Sequence, residues 1–433
     1  MLKNAKYSAF YIASTFIIFI KLLTILIKKY FFNSELLQNI GTANGIFSKA
    51  ASDFPNFLDY IIVIAYTVIL IAVYKFDWVL KHQYIKNVMY FSCFLLSLLT
   101  ISTSIVFQEY RGWDLSLYCV TDISESIRDQ NQNIYDFEYQ KIKPGLSPFI
   151  WLIYNKICNF NIAGFTYLNN YFWIQMLFGI TIVLSHFKFS IIEGLCLSTG
   201  LNLSMLHMVR TGNYGYLLAI VMAVSLRNLI KGKNINLNIF LLCVVSFFKI
   251  QYLIVVGLFI LLNETKFKNL ITALFKLIGI YAAFFSFQIL LFRKAFTDYI
   301  DLMINGYLTN ELTFESGITN PVTSQFISRF FSINQNISTY ITIFIILIGV
   351  VALKSKSSKY FLATSIFNRN KSYDSNYLLV ALENRFVTEF IFVLCFVPSI
   401  LFTFGSQFSL GPLSELLYIP GLFYVVFLSN KKS

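Results

Sequence analysis

The sequence predicts an all-α, polytopic membrane protein, and three observations carry that prediction. Of 433 residues, 57% are hydrophobic and only 13% charged, about half the charged share of a soluble domain. Apolar runs of about 20 residues, the length that crosses a hydrocarbon layer, recur from end to end. The bases behind the net charge of +13 are gathered in short segments between those runs, which is how cytoplasmic loops are marked. The positive charge therefore reads as membrane orientation and does not indicate nucleic-acid binding.

Spans are expected near 7–28, 57–76, 87–107, 163–185, 189–207, 213–230, 236–263, 269–292, 337–353, 386–404 and 412–429, in a single transmembrane domain covering 1–433. The first run, Tyr7–Ile27, is too long for a signal-peptide core and is expected to stay as a helix. Lys75, Lys81 and Lys86 place one loop in the cytoplasm, as do Arg227, Lys231 and Lys233, then Lys266 and Lys268. The segment 354–385 carries six bases against two acids and reads as a basic, solvated cytoplasmic loop near anionic lipid. Two longer segments, 108–149 and 293–335, fall on the opposite side. Lys28 and Lys29, at the outer end of the first helix, run against the pattern.

The 236–263 run is 28 residues long with bases at both ends and Lys249 at its centre. A lysine at mid-membrane depth costs about 3 kcal/mol. Two short helices, out and back, bring Phe248–Lys249–Ile250–Gln251 to the outer surface instead. That hairpin gives 11–12 transmembrane helices with both termini inside.

The segment 108–149 is the first one dense in charge, with seven acids against four bases. Within it, Asp114, Tyr118, Asp122, Glu125 and Asp129 recur at helical spacing, with Leu117, Val120, Ile123 and Ile127 opposite. This describes an amphipathic helix on the membrane surface. Asp122, Glu125 and Asp129 read as its solvated face. Asp114 opens the helix, so it is a candidate N-cap first and a candidate catalytic carboxylate second. The six cysteines show no metal spacing and read as small core residues rather than a disulfide framework. Histidines at 82, 186 and 207 are scattered, so no metal and no cofactor is expected.

Several pieces taken in order resemble glycosyltransferase family 87, polytopic GT-C enzymes that use polyprenyl-phosphate sugars. They are Asp114 with Tyr118, Ile134–Tyr135–Asp136, Leu146–Ser147–Pro148, Thr211–Gly212–Asn213–Tyr214–Gly215, and Phe248–Lys249–Ile250–Gln251. The match covers about 110–265; Ile250 stands in place of the family's usual proline and Asn213 in place of its glutamine. The resemblance implies transfer of a sugar from a lipid-linked donor to a glycan or glycolipid acceptor at the outer face of a bacterial cytoplasmic membrane. In that chemistry Asp114 is the general base on the acceptor hydroxyl. Arg210, Lys249, His207 and Arg293 are candidates to meet the donor phosphate as it leaves, with Tyr118, Asn213, Gln251 and Tyr135 as substrate contacts. Two rival classes stay open. One is an O-antigen polymerase or ligase, which leans on arginines in a large outer loop. The other is a flippase or transporter of lipid-linked sugars, which needs charges buried within spans.

Overall fold

The structure, a computed structural model, describes residues 2–42, 57–76, 82–107, 115, 119, 135, 146–200, 204–263, 267–306, 327–328, 331–364, 372–397, 399–400, 403 and 413–431. Among them the chain is almost wholly helical. It opens with α1 (Leu2–Tyr30), a short α2 (Glu35–Thr42), α3 (Phe57–Phe76) and α4 (Gln83–Phe107). After α5 (Pro148–Cys158) comes a two-stranded antiparallel ribbon, β1 (Asn161–Ile162) and β2 (Phe165–Thr166). Its two-residue turn, Ala163–Gly164, has both φ angles positive, the geometry whose twist suits a tight hairpin. Then follow α6 (Tyr167–His186), α7 (Ile191–Gly200), α8 (Ser204–Thr211), α9 (Gly215–Ile230), α10 (Ile235–Phe248), α11 (Gln251–Asn263), α12 (Phe267–Leu291) and α13 (Arg293–Asp301). The last third holds α14 (Gln335–Ala352), α15 (Lys356–Thr364), a 3-10 segment Ser372–Val380, α16 (Val387–Ile391) and α17 (Leu413–Lys431).

Among the described residues, four helices are long and apolar enough to cross a membrane: Ser8–Tyr30, Gln83–Phe107, Tyr167–His186 and Ile271–Leu291. The other apolar helices run to 10–17 residues. Large apolar side chains stand exposed around the bundle, among them Leu290 on α12, Tyr340 and Val351 on α14, and Phe19 on α1. A face of this kind is unfavourable against water and natural against lipid. Inside, small side chains let helices approach. Gly179 on α6 lies under the ring of Tyr216 on α9, where a methyl group would collide with the ring.

The 236–263 run breaks in two. Lys249 has extended backbone angles (φ −139°, ψ 94°) and separates α10 from α11. Contacts fix the directions. α9 and α10 are antiparallel, pinned at one end by the Tyr214 hydroxyl donating to the Phe248 carbonyl (3.0 Å) and at the other by Asn228 and Asn238 (3.4 Å). α12 runs parallel to α10, because Lys276 Nζ reaches Asn236 (3.0 Å) while Phe284 stacks on Phe247 (3.7 Å between ring centres). α11 joins the far end of α10 to the start of α12, so it must run back. The result is an up–down–up trio with Lys249 at the first tip.

Two expectations are corrected. The segment 354–385 is not a solvated loop along its length. Tyr360, Phe361 and Leu362 of α15 are buried, Tyr360 against Phe259, as are Tyr377, Leu378 and Leu379 of the 3-10 segment, where Tyr377 meets Tyr252. Lys354, Lys356 and Arg385 stay exposed, so counting charges marked the rim and missed the apolar residues between. The cysteines are not all free core residues either: Cys119 and Cys158 form a disulfide. The remaining four, Cys93, Cys196, Cys243 and Cys395, are free and buried. Thirty-nine positions separate the bonded pair, and no local spacing reveals such a contact.

The basic residues do gather. Arg227 lies over the Phe187 ring (4.7 Å), joining the ends of α6 and α9. The charge of Arg227, with those of Lys233 and Lys188, holds the Lys231 ammonium below its ordinary range.

Candidate functional site

The site grows from the ends of four helices. Gly212, at φ 77°, closes α8 with its N–H on the Met208 carbonyl (2.9 Å), a left-handed cap that suits glycine. The next residue, Asn213, accepts the N–H of Gly215 (2.7 Å) and opens α9. Between them Tyr214 bonds the Phe248 carbonyl at the end of α10. Tyr252, in the first turn of α11, donates to the Gly215 carbonyl (3.5 Å). The starts of α9 and α11 therefore meet where α10 ends, so two positive helix ends share one place.

Lys249 sits at that junction. It is 8% exposed, and its ammonium lies 5.9 Å from the Tyr214 ring centre and 5.7 Å from that of Tyr252. Each ring attracts the charge by about 0.5–2 kcal/mol. A lysine withdrawn from water among rings and helix N-termini is a ready partner for a phosphate.

α5 closes the site from the side. Tyr154 packs on Tyr214 (4.9 Å) and Phe248 (6.2 Å). One turn further, Cys158 is bonded to Cys119, and Leu115 is buried in the same core. The acidic segment is thus fastened at Cys119, five residues beyond Asp114, to the helix that flanks Lys249. At its other end Tyr135 is buried, donating to the Leu146 carbonyl (2.7 Å) and packing on Trp151 and Tyr299. Burial, then Tyr299 and the charge of Asp298, push its phenol well above the ordinary range. It stays neutral and serves as a packing pin.

Among the residues expected to act, Lys249 and Asn213 come together at this junction. Gln251 opens α11 beside them, and His207 and Arg210 lie on α8, the helix that ends at Gly212; for these three the description covers the backbone. Asp114 and Tyr118 lie outside the described residues. Arg293 is exposed at the start of α13. The motif at 211–215 contains Tyr214 but sequence reasoning gave it no role, and it passed over Tyr252, the neighbour of Gln251. Among the described residues no group of three or more His, Cys, Asp or Glu is placed to hold a metal ion.

At the opposite end of α4 is a second polar group. Ser190 and Glu193 form a capping box at the start of α7, with the Ser190 N–H (2.9 Å) and hydroxyl (2.8 Å) on the carboxylate. The Tyr90 hydroxyl contacts both Glu193 (3.1 Å) and Thr388 (2.8 Å), and the next residue, Glu389, is 2% exposed. Comparison with family models, curated proteins and solved structures returned no match.

Proposed function

We propose that this chain is an integral membrane glycosyltransferase with 11–12 crossings. It moves a sugar from a polyprenyl-phosphate donor to a glycan or glycolipid acceptor at the outer membrane face, with Asp114 as general base. The observation that carries this reading is the buried Lys249 at the junction of α9, α10 and α11, with the acidic segment fastened beside it through Cys119–Cys158. A phosphate held there has a cation and two helix N-termini to take up the charge that develops as the lipid phosphate leaves. In this reading Asp114, a carboxylate of the adjoining segment, receives the acceptor's proton. The reaction needs no metal and no further cofactor, because the cation at the leaving group is supplied by the protein.

The disulfide supports the orientation. Disulfides persist in oxidising compartments, so a Cys119–Cys158 bond agrees with the outer-side position proposed for the segment 108–149. The reading is tested with purified protein in sealed proteoliposomes, a radiolabelled polyprenyl-phosphate hexose and a lipid extract as acceptor source. Protein-dependent release of polyprenyl phosphate with transfer of label supports it. Movement of intact donor across a sealed bilayer with no transfer refutes it.

Glu389 favours a second reading. A carboxylate buried on α16 beside Thr388 and Tyr90 is what a transporter of lipid-linked sugars would carry, since buried intramembrane charges mark transport pathways. The same sealed-bilayer experiment separates the two.

A further inference from the structure

The first turn of α5 carries more hydrogen-bond donors than the protein satisfies. Ser147 is the N-cap of this 11-residue helix, and its hydroxyl caps nothing. Its oxygen is enclosed with no hydrogen-bond partner. Trp151, one turn on along the same face, is fully buried, and its indole N–H is also without an acceptor. From α12, Gln288 reaches in: its side-chain oxygen accepts the Phe149 N–H (3.2 Å), which fixes the amide against the helix start. Gln288 is 0% exposed, and its amide nitrogen has no partner. Helix geometry leaves the Ile150 N–H without an acceptor inside the helix as well. Leaving one such donor buried and unsatisfied costs about 1–3 kcal/mol, and three such side-chain donors lie on or against the first two turns of α5.

These groups define what they can hold. The amide nitrogen, the indole N–H and the backbone N–H only donate, and the Ser147 hydroxyl is the single group able to accept. A sugar hydroxyl brings a proton that needs an acceptor of its own; an oxyanion does not. The helix start adds positive potential, and Arg293 stands exposed five positions beyond Gln288. Bound phosphate held by neutral donors at a helix N-terminus has this make-up.

We propose that the first turn of α5 is a binding site for a phosphate group, with Ser147, Trp151 and Gln288 as its donors. It is separate from the Lys249 junction. Ser147 and Tyr154 are seven residues apart on one helix, about 10 Å, so two phosphates fit at the two ends of α5. In the transferase reading, on which this clause alone rests, the second phosphate belongs to the acceptor, which is then a phosphate-linked glycolipid.

Binding is measured apart from transfer, by thermal unfolding of the purified full chain in maltoside detergent at pH 8. One arm uses inorganic phosphate and the other dodecyl phosphate. The expected result is dose-dependent stabilisation of the wild type. Stabilisation by both probes identifies the phosphate group itself as sufficient, and by dodecyl phosphate alone a lipid headgroup. Ser147→Ala and Trp151→Phe each remove one donor and should weaken binding about tenfold. Gln288→Glu keeps an oxygen for the Phe149 N–H, replaces the free donor by negative charge, and should abolish the response. Ser147→Ala carries the test if Gln288→Glu does not fold. All variants are read in the Lys249→Met background, which removes the cation of the other junction and should keep a phosphate response at α5. No stabilisation of Lys249→Met by either probe, or a response unchanged when Gln288→Glu or Ser147→Ala is added to it, overturns the site.

Discussion

Breaking the Cys119–Cys158 disulfide should loosen the segment between the two cysteines far more than the bundle around it. The bond closes a stretch of 39 positions. By the chain-entropy relation, a loop of that length contributes about 4 kcal/mol, roughly a 10³-fold change in the population of the opened segment. That segment contains Arg128, Lys141 and Lys143, so trypsin can report it. Cleavage should follow the open population when opening is fast. In cells with sealed membranes, external trypsin should cut the Cys119→Ala/Cys158→Ala variant within 119–158 at a much higher rate than the wild type. Treating the wild type with an impermeant reductant should reproduce the effect. Equal cleavage rates with and without the bond would refute the tether. Alkylation of both cysteines without prior reduction would refute the bond itself.

Two further predictions rest on single contacts. Lys249→Met keeps much of the side-chain volume and removes the charge; transfer should fall about 100-fold or more through lost phosphate stabilisation, with membrane abundance retained. Unchanged transfer kinetics in that variant would remove Lys249 from the site. Gly179→Leu, which drives a side chain into the Tyr216 ring, should cost about 1–3 kcal/mol by overpacking, measured as a lower unfolding temperature. An unchanged midpoint would show that α6 and α9 do not pack as closely as described.

Much of the architecture was legible because apolar runs and charged breaks are local signals. The run 57–76 coincides with α3, and those at 269–292 and 337–353 fall within two residues of α12 and α14. The split at Lys249 was legible for an energetic reason, since a lysine at the centre of a 28-residue apolar run is costly unless the chain turns there. The 189–207 run is less simple, because α7 ends at Gly200 and α8 begins at Ser204. Gly200 lies against Cys93 and Cys395, a contact between distant segments that no run of hydropathy contains. The same limit hid the burial of 376–382, the Cys119–Cys158 bond and the Gln288–Phe149 contact. Each joins residues that are neighbours only after the helices have packed. At the site, Asn213 and Lys249 stood out as polar residues at helix breaks. Tyr214 and Tyr252, lost among 27 tyrosines, acquire their meaning from the ammonium between them.

The central claim is that a carboxylate at the head of the acidic segment takes a proton during sugar transfer, and Asp114→Asn tests it most directly. Asparagine caps a helix about as well as aspartate, so fold and membrane abundance should be retained while proton acceptance is lost. The measurement is initial-rate transfer from a radiolabelled polyprenyl-phosphate hexose in nanodiscs, wild type against variant at equal protein. The account predicts a fall of about 100-fold or more, the scale of a lost general base. An Asp114→Asn protein that transfers sugar at the wild-type rate would contradict it.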